Sequence, residues 1–110
     1  MDIERVKKHL VVGHDGDDDY IMGLCRAAEA HFETWTGRTL LPEGGTVTGE
    51  GDVLPEADIN HGLLMLVAHW YANRESAGEK LSHVPSSTYD LWRPYIFYHL
   101  GGHGEKTHPV

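Results

Sequence analysis

Four carboxylates crowd one short segment: Asp15, Asp17, Asp18 and Asp19. Oxygen ligands at that density suggest a calcium loop, which also needs a bidentate Glu at its twelfth position. Counted from Asp15 that position holds Arg26, and counted from Asp17 it holds Ala28. Glu29 comes into register only from Asp18, which puts Tyr20 in the third position, where an oxygen ligand belongs. A capped helix start with a solvated acidic turn accounts for the run, because carboxylates are favoured at the positive end of a helix.

Other chemical readings fail on similar grounds. Gly101-Gly102-His103-Gly104-Glu105-Lys106-Thr107 has the look of a phosphate loop. Glu105 separates the last glycine from the lysine, no strand precedes the segment, and its carboxylate would repel phosphate. His99, His103 and His108 are the closest set for zinc, but there is one cysteine and no His-Glu-x-x-His pair. Cys25 lies on an apolar stripe, where a thiol is inert. Ser82, Ser86 and Ser87 lie near His83 without the glycines of a nucleophile elbow. The sequence therefore predicts no enzyme, no catalytic residue, no metal and no cofactor.

The elements that carry these residues read as helices. Asp2 caps a first helix whose Ile3, Val6, Leu10 and Val11 share a face, with Gly13 closing it. A second helix runs from about Asp17 to Thr36, with Ile21, Leu24, Cys25, Ala28, Phe32 and Trp35 in one stripe and Gly37 as its left-handed stop. From Pro42 to Pro55 the chain is glycine-rich. Thr46-Val47-Thr48 and Val53-Leu54 make either a short β-hairpin or a loop. A third helix follows Pro55 and is apolar almost all round between Leu63 and Ala72, the mark of a central helix. Pro85-Ser86-Ser87 starts a fourth, which Pro94 ends or kinks. The predicted fold is mainly α: a bundle of about four helices over residues 1–98, followed by an extended, flexible tail over 99–110.

Composition narrows the function. Nine Lys and Arg against seventeen Asp and Glu give a net charge of −8. This disfavours binding nucleic acid over the whole surface and adsorption to an anionic membrane. A single cysteine excludes an intrachain disulfide scaffold. Met1-Asp2-Ile3-Glu4 does not read as a signal peptide, and Leu63 to Ala68, the longest apolar run, is too short to span a bilayer. Nine His would cancel the net charge if all were protonated, which predicts pH sensitivity below about pH 6. Trp70, Tyr71, Tyr89, Trp92, Tyr95, Phe97 and Tyr98 exceed what a small core needs, and Tyr and Trp are enriched at interfaces. The residues thus point to binding or assembly.

Three segments together carry a resemblance. They are Ile3 to Leu10 with the Asp-rich turn and the Trp35-Thr36-Gly37-Arg38 helix end; Leu54 to Ile59 leading into His69-Trp70-Tyr71-Ala72-Asn73-Arg74-Glu75; and Val84-Pro85 with Tyr89-Asp90-Leu91-Trp92-Arg93-Pro94-Tyr95. Over roughly residues 2–96 the chain resembles the head–tail connector proteins of long-tailed bacteriophages, also called adaptors or head-completion proteins. Residues 43–54 and the tail beyond Tyr98 depart from that pattern.

The resemblance implies a mainly helical structural protein of the virion, made in the host bacterial cytoplasm and located at the head–tail interface. It implies a homo-oligomeric ring of about twelve copies closed by heterologous contacts. The ring would join the portal protein to a stopper or tail-completion protein, with DNA passing through its channel and no membrane involved. On this reading Arg38, Arg74 and Glu75 are candidates for polar contacts between or within subunits. Tyr95, Phe97, Tyr98, His99 and His103 are candidates for subunit or partner contacts. The alternative is a small helical DNA-packaging accessory protein that binds nucleic acid through the basic cluster Arg5, Lys7 and Lys8.

Overall fold

A computed structural model describes residues 2–73 and 84–97. Helix α1 (Ile3–Leu10) begins where Asp2 accepts a hydrogen bond from the Glu4 N–H, and it turns Val6 into the core. It closes before Gly13. The Val11 N–H bonds to the Lys8 carbonyl at 3.2 Å and the Val12 N–H to the Lys7 carbonyl at 2.9 Å. This is the paired closure that normally carries glycine in the left-handed position. Here the position is taken by Val11, with φ 61°, and its side chain is 88% exposed. Val11 therefore does not share the buried face with Ile3, Val6 and Leu10.

Helix α2 (Asp18–Thr36) buries Ile21, Leu24, Cys25, Ala28 and Phe32 of the predicted stripe, leaves its Trp35 half-buried, and is closed by Gly37 at φ 75°. The chain then forms strand β1 (Thr39–Leu40), which pairs in parallel with β2 (Asp52–Val53). A tight hairpin would make this pair antiparallel. Instead the loop over residues 41–51 carries the chain back to run alongside β1, and Thr46-Val47-Thr48 belongs to that loop. The Asp52 carboxylate organises the return by accepting the N–H groups of Thr48 at 3.2 Å and Gly49 at 3.0 Å. Those backbone donors hold its pKa below the usual carboxylate value.

Helix α3 (Ala57–Ala72) is central, as its apolar periphery predicts. It buries Ile59, Leu63, Leu66, Val67 and Trp70 and packs against α1, α2 and α4 (Ser86–Trp92). The contact with α4 requires Gly62. A Cβ there would collide with the Trp92 indole, whose Nε1 donates to the Ile59 carbonyl at 3.3 Å. The same indole meets the Phe32 ring edge-on, with centroids 5.1 Å apart. Three helices thus converge on one fully buried tryptophan. A 3₁₀ turn over Arg93–Tyr95, containing Pro94, ends α4.

Two substitutions test these local rules in opposite directions. Gly62→Ala, which would help an ordinary exposed helix, is expected to destabilise by about 1–3 kcal/mol through overpacking against Trp92. Val11→Gly is expected to stabilise by about 1 kcal/mol by relieving the left-handed conformation, less part of the entropy glycine adds to the unfolded chain. Urea midpoints with unchanged slopes would read both.

Candidate functional site

The end of α2 and the last described residues form one polar and aromatic junction. Thr36 Oγ1 donates back to the Phe32 carbonyl at 2.7 Å and accepts the Arg38 N–H at 3.2 Å. This directs the Arg38 side chain across the start of β1. Its Nε donates to the Tyr95 carbonyl at 2.7 Å, its Nη1 to the Glu50 carbonyl at 3.4 Å, and its Cζ lies 4.9 Å from the Phe97 ring centroid. The Phe97 N–H donates to the Thr36 carbonyl at 2.7 Å, and its ring lies against Gly51. Tyr95 closes the far side by donating to Asp58 Oδ1 at 2.6 Å. Burial, then that hydrogen bond, pushes its phenol up to about 12.

Three predicted contact residues, Arg38, Tyr95 and Phe97, therefore meet in one place, and Arg38 is engaged within its own chain. Arg74, Glu75, Tyr98, His99 and His103 lie outside the described residues, as does the boundary expected after residue 98.

A second cluster lies between α2 and α4. Trp35 meets Tyr89 at a tilt of 35° with centroids 4.5 Å apart, Arg93 lies 5.7 Å from the Trp35 ring centroid, and His31 Nε2 is 3.2 Å from Tyr89 Oη. Trp35, Tyr89 and His31 are half-buried and Arg93 is exposed. The helical stripe places Trp35 on the α2 face. The His31–Tyr89 contact joins positions 58 apart in sequence, and no local pattern announces it.

The acidic turn is put to a use that periodicity misses. Lys7 is only 5% exposed, and its Nζ lies 2.8 Å from Asp15 Oδ1 and 2.9 Å from Asp18 Oδ1. Hydrogen bonds to Asp15, then Asp18, hold its pKa well above the ordinary lysine value, while Lys7 depresses that of Asp15. Asp17 makes no side-chain cap and instead accepts a hydrogen bond from the Tyr71 hydroxyl at 2.7 Å. The turn is thus only partly the solvated acidic segment expected from sequence. The basic cluster of the nucleic-acid alternative is also diminished, because Lys7 is sequestered and only Arg5 and Lys8 are exposed.

A cleft of about 420 Å³ opens between α1, α2, α3 and the chain after β1. Ala30, Leu64, Leu41 and Pro42 give it apolar walls. Among its lining residues are four carboxylates (Asp2, Glu29, Glu33 and Glu43) and two guanidinium groups (Arg5 and Arg26). Glu33 is tied to the fold, accepting the Leu40 N–H at 2.7 Å. Among the described residues no group of three or more His, Cys, Asp or Glu is placed to hold a metal ion, and no helix is long and apolar enough to cross a membrane.

These features define a small helical protein whose polar and aromatic surface groups sit at helix junctions, and comparison with known families gives its class. The family model of head–tail connectors matches residues 1–95, and the chain belongs to the phage gp6-like head-tail connector proteins. This is a family of structural proteins of the phage particle, not of enzymes. It implies oligomerisation, contact with other phage head and tail proteins, and a place at the head–tail interface. No curated protein and no solved structure matches the chain.

The His31–Tyr89 contact makes a pH prediction. Burial lowers the His31 pKa in the folded protein. The folded state then binds fewer protons there than the unfolded state, so stability is full above the unfolded value of about 6.5 and falls as pH drops through it. His31→Gln is expected to lose less melting temperature than the parent between pH 7 and pH 5. Equal losses in the two proteins would refute this role for His31.

Proposed function

We propose that the chain is a connector subunit that closes into a ring of about twelve copies, docks on the portal of the phage head and receives a stopper or tail-completion protein. The observation that carries this reading is the family match over residues 1–95. DNA passes through the channel without sequence-specific binding. The net charge of −8 supports that part, because about twelve copies would carry roughly −96, and acidic surface turned toward the channel would keep DNA from adhering.

The Arg38 junction supports a role for the chain's last residues. It fixes Phe97 on the end of α2, so the residues that follow depart from a defined point. Tyr98, His99 and His103 then serve contacts with a neighbour or partner, and Arg74 and Glu75 serve an ion pair between subunits. Residues 99–110 act as a tail beyond a domain that ends at residue 98.

The test is native mass spectrometry and negative-stain imaging of the purified protein with and without portal-bearing heads, with a filter-binding assay on DNA at low salt. A ring on the portal and no DNA retention are expected. A persistent monomer that never joins the portal would defeat the proposal. Tight, salt-dependent DNA binding would favour a packaging accessory instead.

A further inference from the structure

Val11 breaks a local rule: paired closing hydrogen bonds hold it left-handed, and its side chain is left exposed. A β-branched residue in the left-handed region is an outlier, and strain of this kind is retained where something else requires the side chain. Its neighbours Lys8 and His9 are exposed, so Val11 stands beside the Lys8 ammonium, while the acidic turn that follows is partly neutralised by Lys7. The cleft near the other end of α1 has the complementary character. Ala30, Leu41 and Leu64 offer apolar walls, its carboxylates outnumber its guanidinium groups, and Glu43 is exposed on its border. Its volume of about 420 Å³ has room for more than one side chain.

We infer that the Val11 tip of one copy inserts into this cleft of the next, with Lys8 set against Glu43. Tip and cleft are different surfaces, so the contact is heterologous, and repeated with a closing rotation it generates a ring. The contact also answers an electrostatic problem. Two copies of charge −8 repel, and setting the exposed Lys8 against the exposed Glu43 supplies a local attraction that offsets part of that repulsion. The inference rests on the ring reading above but assigns the surfaces that make the ring.

Cross-linking tests the placement directly. Full-length chains carrying Cys25→Ala with either Val11→Cys or Ala30→Cys are mixed, assembled on portal-bearing heads and oxidised. A disulfide-linked dimer is expected from the mixture and from neither variant alone. In parallel, Val11→Gly should unfold no more easily than the parent, yet self-associate at least tenfold more weakly, which is about 1.4 kcal/mol. Lys8→Glu and Glu43→Lys should each weaken assembly, and the double variant should recover it. Rings that form without the cross-link, or a Val11→Gly chain that assembles like the parent, would overturn this contact while leaving the ring intact. A parent chain that never assembles would overturn both.

Discussion

The Trp92 indole seated on Gly62 is the contact on which the rest of the architecture hangs. It is fully buried, it bonds the Ile59 carbonyl, and it meets Phe32 edge-on, so it joins α4 to both α3 and α2. The approach is available only because residue 62 has no Cβ. With α4 fixed this way, the turn at Arg93–Tyr95 arrives beside the end of α2, where Arg38 can bond the Tyr95 carbonyl and cover Phe97. A packing constraint in the core thereby decides where the chain presents its last described residues.

Much of this was legible in the sequence where a single period governs the residues. The α2 stripe, the all-round apolarity of α3 and the Gly37 stop follow from spacing and backbone preference, and they recur in the fold. The departures come where a distant partner overrides a local rule. Val11 extends the apolar face of α1 on paper, yet the closing hydrogen bonds of Val11 and Val12 turn it outward. Lys7 reads as a solvent residue until Asp15 and Asp18 fold over it. Thr46-Val47-Thr48 has strand composition, but the return strand pairs with Thr39–Leu40 instead. Of the candidate contact residues, Arg38 was identifiable from its place after the helix stop. Its use of two carbonyls and a ring depends on segments 12 to 59 positions away, and no local pattern encodes that.

The charge gains meaning when it is distributed. The chain has an excess of acid and one buried lysine held by two aspartates, and among the described residues the exposed cations are Arg5, Lys8, Arg26 and Arg93. A subunit of this kind resists indiscriminate association with DNA or with its own copies, and it must make any self-contact through matched local patches.

The parallel pairing of β1 and β2 has a consequence for how a longer loop would be tolerated. Both ends of the 41–51 loop are pinned by strand hydrogen bonds, from Thr39 N–H to the Gly51 carbonyl and from Leu41 N–H to the Val53 carbonyl. Lengthening a flexible loop between fixed ends is cheap, about 0.6 kcal/mol for each doubling. The middle of the loop, around Gly44 to Val47, is therefore a place where an insertion would cost the bundle little. It is also a port at which an affinity tag or fluorophore could ride on the assembled particle.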